Sequence, residues 1–233
     1  MKITLVCNCG LLLECGVHKL LIDAPNGPLP PYYEFPEAEF QKLIAAQPPY
    51  DGSLAFAFTH THSDHFCRDK LRRVLRARPQ TKVFLPDEAA PDAGAVQLGG
   101  FSIEFYRFLH MPVPKNLAVD HFVFLVKCGG GTVYITADAQ TDADLHRAIL
   151  AGRRCDAAFW NGLYLSYEQT RELLHEAANQ NYIYHVPIDP RDVSGIRRKC
   201  ERNMMRHSSE LSGVTVLSRY PAELWTDEKG KCR

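Results

Sequence analysis

Four side chains able to ligate a metal ion fall within the six residues 60–65 of the segment Thr59-His60-Thr61-His62-Ser63-Asp64-His65. Imidazole nitrogens and a carboxylate suit zinc and similar divalent cations. His60 and His62 are two apart, so on an extended backbone they point to the same side, whereas the adjacent Asp64 and His65 diverge. One short segment can therefore feed two metal positions. It follows the apolar run Leu54-Ala55-Phe56-Ala57-Phe58, so it is internal and anchored to a strand, which excludes a purification tag.

Further polar residues stand just past other apolar runs. Asp23 follows Leu20-Leu21-Ile22, His110 follows Phe108-Leu109, Asp138 follows Ile135-Thr136-Ala137, and His185 follows Ile183-Tyr184. Loops at strand ends are where rigid scaffolds carry catalytic groups. The elements that must position them read as strands over residues 3–7, 11–14, 19–22, 54–58, 82–85, 101–108, 122–127, 132–136, 156–160, 181–184 and 214–217. Helices are expected over 37–46, 68–78, 142–150, 167–179 (with Ser166 as its N-cap) and 193–205. The turn Gly129-Gly130-Gly131 joins a hairpin and is no phosphate loop, because no Gly-Lys-Ser/Thr follows it. An antiparallel run of strands that later alternates with helices implies two sheets with helices packed outside.

The order Asp23, His60-x-His62-x-Asp64-His65, His110, Asp138, His185 resembles the metallo-β-lactamase superfamily, over residues 3–187. The resemblance implies one α/β domain over residues 1–233, an αββα sandwich of two mixed sheets with helices on the outer faces and a two-metal site at one edge. By the same resemblance His60, His62 and His110 hold the first metal, Asp64, His65 and His185 the second, and Asp138 bridges both. Asp23 orients the His-Asp loop from behind the ligands. Two cations roughly 3.5–4 Å apart acidify a bridging water and steady the leaving oxygen; Asp64 and Asp138 are the catalytic carboxylates of this scheme. Zinc is the first choice of metal, with manganese or iron as alternatives.

Asp138 stands where the best-known β-lactamases of the superfamily have a cysteine, which disfavours an antibiotic hydrolase. His62 in place of Glu disfavours the oxygen-reducing di-iron branch. Phe66-Cys67-Arg68 stands where many members have a Gly-Gly pair, which disfavours the glyoxalase-type assignments but not the metal site. The expected reaction is hydrolysis of a small substrate, a phosphodiester or other phosphoester first and a lactone or thioester second. A metal-binding redox or sensor protein, with Cys7, Cys9 and Cys67 near the site, is the alternative from another class, and an inactive scaffold the third.

Strand direction puts Asn8 and Cys9 at the metal edge, and Asn161 and Tyr164 beyond another strand; Asn8, Asn161 and Tyr164 are candidate substrate contacts. Lys115 and Asn116 are placed to meet an anionic group, and Tyr32 and Tyr33 to form a lid. His121 rivals His110 as a ligand, but it opens a strand and is expected to point elsewhere. His18, His146, His175 and His207 are expected at the surface.

The 233 residues carry 27 Lys+Arg and 27 Asp+Glu, a formal net charge of zero that disfavours a nucleic-acid partner. No apolar stretch has the roughly 18 residues of a membrane helix, and the N-terminal run is too short for a signal-peptide core. The eight cysteines are then expected as reduced thiols in the cytoplasm. The expected partner is a small-molecule substrate.

Overall fold

Leu11, Leu13, Leu20 and Ile22 face one side of their strands, while Leu12, Leu21, Phe56 and Phe58 face the other, and both sets are fully buried. A period of two with both faces apolar needs cover on each side. The computed structural model, which describes residues 1–86, 91–112, 114, 118–187 and 192–226, supplies that cover. A six-stranded sheet is built from β1 (Lys2–Cys7), β2 (Gly10–Cys15), β3 (His18–Ile22), β4 (Ser53–Ala57), β5 (Lys82–Phe84) and β13 (Ala222–Thr226), in the order β13-β1-β2-β3-β4-β5. A seven-stranded sheet runs β12-β11-β10-β9-β8-β7-β6, from β6 (Ala93–Leu98), β7 (Phe101–Arg107), β8 (Phe122–Cys128), β9 (Gly131–Ile135), β10 (Cys155–Asn161), β11 (Ala178–Tyr184) and β12 (Val214–Val216).

Between the sheets Leu11, Ile22, Phe122, Phe124, Ile135 and Phe159 form one apolar layer. Outside the first sheet lie α1 (Glu37–Ile44) and α2 (Arg68–Ala77), whose Phe40, Leu43, Leu71 and Val74 meet Leu12, Leu21 and Phe56. Outside the second lie α3 (Ala143–Leu150), α4 (Glu168–Ala177) and α5 (Ile196–Arg206), over Leu125, Tyr134, Trp160 and Ile183. The molecule is thus an αββα sandwich of two mixed sheets.

β3 pairs parallel to β4, and β9, β10 and β11 run parallel to one another, so their C-terminal ends meet along one edge. Asp23, the 59–65 loop, Asp138 and His185 all leave strands at that edge.

Two strands escape the sequence pattern. β6 is built of small and exposed residues on the sheet's rim, and β13 follows Pro221 and returns to pair with Lys2–Leu5. Ser166 is not the cap of α4. It ends a short 3-10 turn, Gly162–Ser166, and its hydroxyl accepts from Asn203 Nδ2 at 3.2 Å, so Tyr167 takes the cap position without a side-chain hydrogen bond. No helix among the described residues is long and apolar enough to cross a membrane.

Candidate metal centre

The site is assembled from loops that the two sheets deliver to one edge. Asp23 accepts from the Thr59 backbone N–H at 2.7 Å and from Thr59 Oγ1 at 2.7 Å, which ties the end of β3 to the start of the histidine loop. Asn26 Nδ2 donates to Asp64 O at 2.9 Å, and Gly27 N–H donates to Ser63 O, closing the loop from the far side. On the second sheet, Met111 N–H donates to Asp138 O at 2.7 Å and Gln140 N–H to Leu109 O at 2.9 Å, so the His110 and Asp138 segments form one bridged unit. Asp23, Ala137 and His185 hold φ of 51°, 45° and 58°. Left-handed backbone at a non-glycine residue costs on the order of 1–3 kcal/mol and persists only where surrounding contacts enforce it.

Three donor groups result among the described residues, one of them Cys9, His65 and His185, which shares both histidines with a larger one. His60, His62 and His110 offer ligand atoms that lie within 4.8 Å of one another, and so do Asp64, His65, Asp138 and His185. Asp138 faces both: its Oδ2 is 3.9 Å from His60 Nε2, 3.5 Å from His110 Nε2 and 3.4 Å from His65 Nε2, and its Oδ1 is 3.6 Å from His185 Nε2. The outer hydrogen bonds decide which nitrogen of each ring carries the proton. His110 Nδ1 meets Met111 O at 2.7 Å, His65 Nδ1 meets Asp23 Oδ2 at 3.0 Å, and His60 Nδ1 meets Thr59 Oγ1 at 3.1 Å. Each contact takes the Nδ1 proton and leaves an Nε2 lone pair aimed inward.

Lone pairs and carboxylates converging in a buried space repel unless a cation lies among them. His60 Nε2, His110 Nε2 and Asp138 Oδ1 are buried with no hydrogen-bond partner, which is the state of ligand atoms rather than of packing residues. The donor set therefore fits divalent metal. The electrostatics agree. Burial works against charge on Asp138, yet the His185 and His65 imidazoles hold its carboxyl well below the usual range. Burial, with the nearby rings of His65 and His121, pushes the His60 imidazole well below its ordinary value, so it stays a neutral donor.

Cys9 lies where strand direction puts it, its Sγ 3.2 Å from His65 Nδ1. Tyr32 stands edge-on to His185 with ring centroids 4.3 Å apart, while Tyr33 stacks on Tyr220 at 5.0 Å. Asn8 is wholly buried beside Cys9. Asn161 and Tyr164 do not open onto the cleft. Asn161 Nδ2 donates to Ala137 O at 3.0 Å and to Ala139 O at 3.3 Å, and the Tyr164 hydroxyl donates to Gln140 O at 3.0 Å, so both brace the Asp138 turn. Lys115 and Asn116 lie outside the described residues.

Two histidines depart from expectation. His121 does not point away: it is 1% exposed, with its ring 5.1 Å from His60 and 5.6 Å from His110. Its backbone turns inward because Phe122 N–H pairs with Thr59 O, a contact between the two sheets that no local pattern reports. His146 is not at the surface: it is fully buried on α3, where its Nδ1 meets the Tyr134 hydroxyl at 2.7 Å and its Nε2 the Tyr164 hydroxyl. The available sign was helical spacing, since His146 shares the buried face of α3 with Ala143, Ile149 and Leu150.

The fold is that of the metallo-β-lactamase superfamily. The metallo-β-lactamase fold protein YhfI from Bacillus subtilis superposes with a TM-score of 0.63 at 18% identity, over 96% of this chain and 98% of that one. A possible metal-dependent hydrolase from Veillonella parvula DSM 2008 gives a TM-score of 0.64 at 17% identity, over 96% and 99% of the two chains. CmlA, a diiron β-hydroxylase from Streptomyces venezuelae, gives 0.64 at 14% identity, and the match covers 96% of this chain but 53% of CmlA. No family model matches the sequence, and no curated protein sequence matches it significantly.

Proposed function

We propose that this chain is a dinuclear metal-dependent hydrolase of a small phosphoester, with a phosphodiester as the first substrate class. The observation that carries the reading is the pair of convergent donor groups sharing Asp138. In this reading His60, His62 and His110 hold one cation, Asp64, His65 and His185 the other, and Asp138 lies against both. Divalent cations so held supply the charge that acidifies water near neutral pH and polarises a phosphoryl oxygen.

The chain's own residues do the rest. Asp138 neutralises both positions at once and fixes their spacing. Asp23 keeps the His65 Nδ1 proton in place, so Nε2 remains a donor. Asp64 Oδ2 lies 3.0 Å from His185 Nε2, and against the effect of burial the His65 and His185 imidazoles hold its carboxyl below the usual range, so it would serve as a charged carboxylate at the second position. Tyr32 walls the cleft over His185. Zinc is the proposed metal, and manganese or iron the alternatives, since imidazole and carboxylate accept all three. Cys7, Cys9, Cys67, Cys155 and Cys200 lie outside any disulfide, which supports a reducing compartment, the cytoplasm.

The test is turnover of bis(p-nitrophenyl) phosphate by protein loaded in turn with zinc, manganese and iron, beside a lactone and a thioester. Metal-dependent phosphodiester cleavage lost in the chelator-treated protein is the expected result. Cleavage of the lactone or thioester alone changes the substrate class. A second reading, metal-based redox or sensing, is favoured by Cys9 Sγ lying 3.4 Å from Asp64 O and close to His65. It predicts no hydrolysis of any of these esters and a metal content that changes reversibly on thiol oxidation.

A further inference from the structure

His121 is buried beside the candidate metal ligands, and neither of its ring nitrogens has a hydrogen-bond partner. Buried polar groups in folded proteins are rarely left so, and each exception asks for an explanation, an absent ion among them. Three other unpartnered buried atoms lie in the same cluster, His60 Nε2, His110 Nε2 and Asp138 Oδ1, and a cation answers all of them. His121 is also fastened to both segments that carry its neighbours. Phe122 N–H donates to Thr59 O at 2.9 Å, one residue before His60, and Phe108 N–H donates to His121 O at 2.9 Å, two residues before His110.

The ring spacings are those of a shared centre. His121 stands 5.1 Å from His60 and 5.6 Å from His110, against 4.7–4.9 Å among His60, His62 and His110 themselves. Its nitrogens fall outside the group of atoms within 4.8 Å formed by those three, so it does not donate together with all of them in this arrangement. We propose that His121 is a reserve ligand of the first cation position, exchanging with His110. His110 is the partner in the exchange because its side chain keeps 7% exposure in a loop, whereas that of His60 keeps none and is held to Thr59. Replacing one neutral imidazole by another keeps donor type and charge, so the cation stays while His110 leaves, with no proton or electron transferred.

The inference rests on the metal reading above, and the experiment separates the two. Wild type, H110A, H121L and H110A/H121L are stripped, reloaded with zinc and assayed for bound metal by elemental analysis and by competition with a chromophoric chelator. Cobalt substitution reports the ligand field independently of activity. The expected result is two equivalents in wild type and H121L, two in H110A with the weaker site loosened roughly tenfold, the scale of a ligand-shell perturbation, and one in the double variant. Loss of a full equivalent in H110A alone, with no further change on adding H121L, overturns the exchange while leaving the metal reading intact. A wild type that binds no metal overturns both. Thermal melts confirm folding, and His121→Asn, which keeps a polar side chain but shortens its reach, should behave as H121L does.

Discussion

The Asp64–His65–Asp138–His185 group is buried throughout and braced from behind, whereas in the His60–His62–His110 group His62 and His110 are only partly buried. His65 has Asp23 and Cys9 at its Nδ1, Asp64 is held by Asn26 through its backbone, and His185 Nε2 already contacts Asp64 and His65 at 3.0 and 3.1 Å. In the other group His60 Nδ1 meets Thr59 Oγ1 and His110 Nδ1 its neighbour's carbonyl, and the Nε2 atoms of both, like Asp138 Oδ1, are left without partners. Ligands whose orientation is fixed by outer hydrogen bonds lose less freedom on binding metal. The second position is therefore preorganised and the first adaptable, and a chelator titration should remove metal in two steps, from the His60–His62–His110 position first.

Asp138 is where that asymmetry disappears, because its carboxylate faces both groups. Asp138→Ala should bring metal content toward zero and cut phosphodiester turnover by roughly 10³-fold or more, beyond the loss from removing a single electrostatic contact at a reacting centre. Near-normal metal content in a folded Asp138→Ala protein, checked by circular dichroism, would show that the two groups are independent. Asp23→Asn acts directly on the second position, through His65, and on the first only through Thr59, which holds His60. It takes the carboxylate from His65 Nδ1 and from Thr59, so metal affinity at the second position or turnover should fall by about 10–100-fold. A larger loss at the first position would reverse the comparison.

The sequence reveals these groups to unequal degrees. The 60–65 cluster is readable because its ligands are close in the chain, and Asp23, His110, Asp138 and His185 because each ends an apolar run. The layers are readable for the same reason: the strands are apolar on both faces and the helices on one. What escapes depends on contacts between distant segments. β13 exists only as the antiparallel partner of β1, from the other end of the chain. Ser166 matches a cap by composition, but its hydroxyl serves Asn203 on α5. His121 looks like the outward first residue of a strand until Thr59 and Phe108 are seen to pin it from two sides.

Asn161 separates bracing from substrate contact. Its amide holds the carbonyls of Ala137 and Ala139 on either side of Asp138, and a buried hydrogen bond contributes about 1 kcal/mol. Asn161→Ala should lower kcat by about fivefold, the factor that about 1 kcal/mol makes, with KM nearly unchanged. A rise in KM at constant kcat would instead place Asn161 against the substrate and weaken the view that the Asp138 turn is held from the second sheet.

The smallest effect lies away from the metals, on the face of the second sheet that α3 covers. Burial pushes the His146 imidazole down to about 3, so the ring is neutral between the Tyr134 and Tyr164 hydroxyls. The unfolded chain takes up this proton near pH 6.5, while the folded chain resists it until about pH 3. Stability from His146 is thus complete above pH 6.5 and declines as the pH falls toward 3. At pH 5.5, one unit below the unfolded value, the loss is about 1.4 kcal/mol, or roughly 3–5 °C in Tm for a chain of this size. Wild type and H146Q should be melted from pH 7.5 to 5, both stripped of metal. The glutamine keeps polar contacts to the tyrosines but does not titrate, so the gap between the two melting curves should narrow on acidification. Parallel curves would mean that His146 is protonated in the folded protein, and that α3 packs on the sheet less tightly than the metal edge does.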